Sequence, residues 1–544
     1  MSQNKTEVLS SMIAEKVWGH RFRSGQRGAE YTLEFLNVMA GTEYKLTAPS
    51  YKRKKMIEFR KFVFEGEKEG REVKGQKNYV LFDAAKKNRI AQELKIDNEE
   101  LTDIQDFLNN LKVELRQQDG SKVNRSWYAQ FLFPLHESML FFEVRTKGNS
   151  VGYERNFFSR GGELYYLALS HGIGDNQQLK AEIEIKIKRM LNSNQNIGAI
   201  VNRISSVLTK DGTDADNSSS FISVDSYPLN KEASKENESY PKLAVTESKV
   251  FTIMANELNS FLNAKLDIHD SFRYLTSLIC IQLFRYMISR CEDISKESGL
   301  ILMDCTDGQN AHIRRIAQKS YKTHQRIVMK AFDSFSEEEI KQLLPEEEAL
   351  TRINNWKESA KKSTEKAVIK KYESFFRDTD YNRLGEKNKL ALINALENPD
   401  EKAAYHMLLL QMKDIALQKQ VKEDFSILGV LGRDGGFISQ GKGTQPRYIM
   451  TDTLLNALVL ALLEGERKMS FDKFKGKLFK HFNIIIGVEE AQKSEICQNE
   501  RINLGCFKDN EQRFRHKLKK NGLLEEFSDA TAFIVNPAYT NGGV

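Results

Sequence analysis

Asp175, Glu182, Glu184 and Lys186 have the most enzyme-like spacing in the sequence. An acid followed by an acid-x-Lys pair can hold a divalent ion and orient a water for phosphodiester hydrolysis. Leu179, Ile183, Ile187 and Met190 recur at helical intervals through the same segment, which predicts an amphipathic helix rather than a nuclease strand. A second polar cluster, Asp304, Asp307, Asn310 and His312, follows the apolar run 300–303. Turns beyond strand ends hold ligands in many α/β folds, but Asp and Gly also simply make turns, and Asn310 suits a helix cap. No Gly-x-Ser-x-Gly elbow, His-Glu-x-x-His pair or Walker motif occurs, and the glycines between Gly429 and Gly443 fit neither a phosphate loop nor a dinucleotide fingerprint. The five cysteines lack CxxC spacing. No catalytic residue, metal or cofactor is assigned.

Two rows of cations point to a polyanion. In the last hundred residues Arg513, His516, Lys517 and Lys520 recur at intervals of three and four, opposite Phe514 and Leu518. Asn510 is read as the N-cap of this helix and Gly522 as the residue that ends it. In 309–332, Arg315, Lys319, Lys322, Arg326 and Lys330, led by His312, occupy an arc of roughly 80° on a predicted helix. No acid lies between Ala311 and Lys330, whereas a solvated helix normally mixes signs. Such a ladder meets either a nucleic acid or acids elsewhere in the fold. In the N-terminal block, aromatics such as Phe59, Phe62, Tyr79, Trp127 and Phe141 interleave with Arg53, Lys54, Arg60 and Lys61. They could stack on single strands, although alternating aromatics more often form a core.

The elements that must position these residues fall into four blocks. Residues 1–190 read as mixed α/β, with a helix over 31–38 and strands over 57–65, 78–83 and 139–145. Residues 191–248 read as a linker or long loops. Residues 249–428 read as a helical domain with one short buried strand at 300–303. Within it, Ser336-x-x-Glu339 predicts a capping box, and Asn398-Pro399 a helix start. Residues 429–544 read as a Gly-rich lead-in and a winged-helix domain. Its helices are capped at Thr451 or Thr453, at Ser470 and at Asn510, and are followed by a hairpin turning at Ser528-Asp529. The wing is acidic, with Glu525, Glu526 and Asp529, which leaves DNA or a protein as the domain's ligand.

The fold class expected is therefore helix-rich, multidomain α+β. At 544 residues the chain is too long for one core, and 40% hydrophobic residues suffice for several. The balance of 82 basic against 75 acidic residues gives only +7, so clustering rather than net charge carries the case for nucleic acid. The polar N-terminus and the short apolar runs predict neither a signal peptide nor a membrane span, and the expected compartment is the cytoplasm.

The basic helix after Asp304-Cys305-Thr306-Asp307-Gly308-Gln309-Asn310 and the Gly-rich lead into a terminal winged helix resemble accessory proteins of bacterial anti-phage defence operons, the B-type component of Druantia type I systems among them. The resemblance implies an accessory, non-catalytic subunit acting with other subunits of a defence complex, including a helicase-like protein. The residues themselves predict binding to DNA or to a nucleoprotein partner through the two cationic rows. The alternatives are a metal-dependent nuclease using Asp175, Glu182, Glu184 and Lys186, or a protein-docking scaffold.

Overall fold

A computed structural model describes residues 13–20, 22, 25–68, 79–117, 120–147, 150–153, 160–209, 219–221, 241–379, 384–439, 444–494, 504–528 and 531–536. The chain is a helix-rich α+β protein whose strands are few and short. It divides into two compact units. The first comprises 1–24, 287–299 and 322–428, and the second 25–286, 300–321 and 429–544.

The first unit is helical. Glu346–Lys362 follows Pro345; it buries Ile353 and Trp356, and the Trp356 ring meets Phe375 edge-on, which in turn touches Phe376. Trp356 Nε1 donates to Asp378 (2.9 Å), which satisfies the one polar atom of a buried indole. No capping box opens a helix at Ser336, because Ala311–Leu343 runs through it. Nothing between Phe332 and Ser336 breaks the helix, and the buried Ser336 hydroxyl donates to the Phe332 carbonyl (2.8 Å) instead. Asp400, not Asn398, caps Glu401–Asp434, accepting from the backbone of Lys402 and Ala403.

In the second unit, Gly161–Ile173 lies against Gly28–Gly41 and Lys249–Phe261. Close approach requires glycine here: a Cβ on Gly162 would sit 2.5 Å from the Tyr31 carbonyl oxygen, and one on Gly172 2.1 Å from that of Phe251. The segment expected as the strand 57–65 is the helix Ile57–Val63. Phe59, Phe62 and Val63 bury one helical face, and the brief alternation of Ile57 and Phe59 mimics a strand period. In the predicted strand 78–83, Asn78 lies outside the described residues and Tyr79 forms only an isolated bridge to Lys68. The expected linker contains the helix Gln195–Thr209, which buries Val201, Ile204 and Leu208. Most of the aromatics read as a stacking surface are core residues, although Tyr79 is exposed.

Charge is also buried in this core. Glu30 Oε2 accepts from the Arg27 backbone (2.7 Å) and from Arg125 (3.1 Å), while Arg27 pairs with Asp434 (2.7 Å). Burial pushes the Glu30 carboxyl up to about 7, against the opposing pull of Arg125 and Arg27. A carboxyl raised in the folded state holds a proton that the unfolded chain has released, so its ionisation destabilises the fold as pH climbs from the ordinary value toward 7. The loss amounts to about 3 kcal/mol. We predict that Glu30→Gln loses correspondingly less stability than the native chain between pH 5 and pH 8. Urea titrations at the two pH values measure this, and equal losses would contradict it.

The C-terminal part of the second unit runs Asp452–Leu462, strand Lys468–Ser470, Phe471–Phe482, strand Ile484–Ile485, Val488–Lys493, Gly505–Lys520, then strands Leu524–Glu526 and Ala532–Val535. Thr451 and Ser470 cap the first two helices through their hydroxyls, as their positions predict. Lys468–Ser470 and Leu524–Glu526 flank Ala532–Val535 in an antiparallel sheet. Ile484–Ile485 pairs in parallel with Ile301–Leu302, the strand read at 300–303.

Candidate nucleic-acid interface

The strand Ile301–Leu302 delivers the chain into the turn 304–310, and Ala311–Leu343 starts immediately after it. The turn is held from within. Asp304 is fully buried; its Oδ1 accepts from the Thr306 amide (2.9 Å) and hydroxyl (2.7 Å), and its Oδ2 from Arg447 Nε (2.8 Å). The Thr306 hydroxyl accepts from the Asn310 amide (3.2 Å), and Asn310 Oδ1 caps the helix through the amides of His312 and Ile313. The backbone turns at Asp307 and Gly308 with φ of +55° and +82°. The φ of Gly308 favours glycine there, and a Cβ would also crowd the tip of the Arg447 side chain, 2.9 Å from Nη2. The expectation that this cluster is chiefly a turn with an Asn310 cap agrees with this geometry.

The terminal helix is longer than expected, Gly505–Lys520, and Asn510 is not its cap. Asn510 lies fully buried inside the helix. Its Nδ2 donates to the carbonyls of Met303 and Ile486 (both 2.9 Å), and its Oδ1 accepts from the Cys305 amide (2.9 Å). One side chain thus joins both parallel strands and the turn to the terminal helix. The signal was present in the sequence: Phe507, Asn510, Phe514 and Leu518 share one helical face, so Asn510 had to point into the core. Around it, Leu302, Ile313, Ala317, Ile485, Ala491, Cys506 and Phe507 form a closed apolar cluster. The cluster seats the first turns of Ala311–Leu343 beside the terminal helix.

This packing joins the turn 304–310 to the cationic row of the terminal helix. Lys517 Nζ lies 2.8 Å from Asp307 Oδ1, and its side chain is only 16% exposed. Asp509 accepts from Asn310 Nδ2 (3.0 Å) and lies 4.0 Å from Arg513 Nε. His516 and Lys520 are exposed on the same helix face and form no ion pair among the described residues. Arg315 is likewise exposed without an ion pair among them, and Lys319 is exposed one turn further on. Arg515 and Lys519 occupy the other side of the terminal helix. Arg515 lies over the Phe471 ring (4.2 Å), and both approach Glu526 of the hairpin, at 3.8 and 3.2 Å.

The rest of the ladder belongs to the first unit. Arg326 and Lys330 both reach Glu297, each at 3.1 Å. They hold its carboxyl below the ordinary range, the Lys330 hydrogen bond most of all. Lys322 is exposed and forms no ion pair among the described residues.

The nuclease spacing does not assemble. Glu182 and Glu184 lie on the helix Gln177–Leu191, two residues and so roughly 200° apart. Glu182 takes hydrogen bonds from Asn259 (2.8 Å), Gln178 (3.0 Å) and Lys186 (3.2 Å), which hold its carboxyl down to about 2. Glu184 instead accepts from the Leu46 amide (2.8 Å), and Asp175 is exposed before the helix begins. Among the described residues no group of three or more His, Cys, Asp or Glu side chains could hold a metal ion. None of their helices is long and apolar enough to cross a membrane.

Turn 304–310, the start of its helix, Arg447 and the terminal helix all lie within one stretch of similarity. Residues 284–539 match the family model of Methylation-associated defense system protein MAD7. The MAD7 match covers a little under half of the chain and supports an association with a defence system. It contains every residue of the two cationic rows. No curated protein and no solved structure matches the chain.

Proposed function

We propose that this chain is an accessory, non-catalytic subunit of an anti-phage defence system. In this reading it acts in the cytoplasm and binds duplex DNA with the terminal helix and the neighbouring start of Ala311–Leu343. The observation that carries the reading is the cationic face of the terminal helix, where His516 and Lys520 are exposed without an ion pair among the described residues and Arg513 lies 4.0 Å from its nearest acid. The order helix, strand, helix, strand, helix, helix, strand, strand, with Lys468–Ser470 beside Ala532–Val535, supports a winged helix into which Ile484–Ile485 and the short helix Val488–Lys493 are inserted, and whose third long helix would enter the major groove. The acidic hairpin weighs less against DNA than its sequence suggests, because Glu526 is taken up by Arg515 and Lys519. The MAD7 match supports partners within a defence complex, for which a helicase-like protein fits an accessory role. The narrower resemblance to the B-type component of Druantia type I has no motif behind it.

Phosphate contacts supply salt-sensitive affinity that is nearly independent of sequence. Lys520→Ala is therefore expected to weaken binding to unrelated duplexes uniformly and to lower the salt slope of affinity by about one. Fluorescence anisotropy at several salt concentrations measures both. Unchanged affinity in Lys520→Ala and Arg513→Ala alike would sink the reading.

A further inference from the structure

We infer that Asp307 is a built-in competitor for the phosphate that Lys517 would otherwise meet, so that the terminal helix carries one latched cation beside its open ones. The inference rests on the duplex-binding reading above and concerns the regulation of that same face. Around the helix axis Lys517 lies roughly 40° from Arg513 and 60° from Lys520, so a polyanion that meets those two also reaches Lys517. Its ammonium is nevertheless already taken, 2.8 Å from Asp307 Oδ1.

The turn fixes the backbone from which that carboxylate projects. Asp304 is buried and bonded to Thr306 and Arg447, the Cys305 amide is bonded to Asn510, and Gly308 follows with a positive φ that suits glycine. The positive φ of Asp307 is one that aspartate tolerates better than most residues, and the surrounding network holds it there. Among the residues of this face, Asp509 is engaged by Asn310 and lies at the limit of ion-pair distance from Arg513. Asp307 is thus the acid that occupies a cation of the face at full hydrogen-bond contact. Its side chain is 68% exposed and that of Lys517 16%, so solvent reaches the pair from the Asp307 side, where an incoming phosphate would compete with the carboxylate. The latch thereby lowers affinity for any polyanion without removing the site.

The test uses the full chain and a duplex of roughly twenty base pairs, long enough to span the helix contact. Asp307→Asn keeps the size of the side chain and tolerates positive φ. It is expected to tighten binding by about two- to fivefold and to steepen the salt slope by about one. Made in a Lys517→Gln background, the same substitution is expected to bring no gain. Equal affinity of Asp307→Asn and the native chain would overturn the latch while leaving duplex binding in place. A gain that persists without Lys517 would overturn it too, since Asp307 would then act by general repulsion. If neither protein binds duplex, the duplex reading falls and the latch falls with it.

Discussion

Asn510→Leu is expected to destabilise the second unit by about 3–5 kcal/mol. The amide of Asn510 satisfies three backbone groups that have no access to water: the Cys305 N–H and the carbonyls of Met303 and Ile486. Leucine fills similar space but strands all three, and each stranded group costs about 1–3 kcal/mol. Asn510→Asp separates hydrogen bonding from packing. A carboxylate can still accept from Cys305, but it faces two carbonyls with no proton to offer, so it should be no better than leucine. The midpoint of urea unfolding at constant slope reads the change. A loss below about 1 kcal/mol would show that the joint between turn and terminal helix lies elsewhere.

Lys475→Met should be nearly as damaging. This lysine is almost wholly buried, with its ammonium 2.9 Å from Glu511, 3.5 Å from Asp472 and 3.7 Å from Glu490. Burial pushes its pKa down, but the Glu511 hydrogen bond and the surrounding acids outweigh that and leave it above the ordinary lysine value. Methionine replaces the stem and removes the charge, which leaves Glu490 and Glu511 facing each other at the base of the terminal helix. Breaking a buried pair in this way costs about 3–5 kcal/mol. Adding Glu490→Gln should recover part of the loss, because the two changes share one network. Strict additivity of the two substitutions would contradict the network.

Which of these features a reader of the sequence can see depends on the range of the interaction. Thr451 and Ser470 are legible as caps because a cap is a contact across three residues. The hairpin is legible because its strands adjoin in sequence, with Leu524 opposite Ile534. Ile301–Leu302 is visible as an apolar run, but its partner lies some 180 residues away, and two-residue strands carry no period that could select Ile484–Ile485. Asn510 misleads because the same amide that suits a cap also suits a buried clamp, and only the helical row Phe507, Phe514, Leu518 decides between them. The ladder of 315–330 reads as uniform in charge along one helix. Its differentiation comes from other segments: Glu297 takes Arg326 and Lys330, while Arg315 stays open. Distant ion pairs of this kind leave no spacing in the sequence.

The central proposal is that the open cations of the terminal helix and of the start of Ala311–Leu343 bind a nucleic-acid duplex. The most direct test is the salt dependence of duplex binding by the native chain and by the combined variant Arg315→Ala, Arg513→Ala, Lys520→Ala. Three phosphate contacts predict a slope of log affinity against log salt of about −3 for the native chain, and a slope close to zero for the variant. A native slope near zero, or a steep slope that survives the triple replacement, would contradict it.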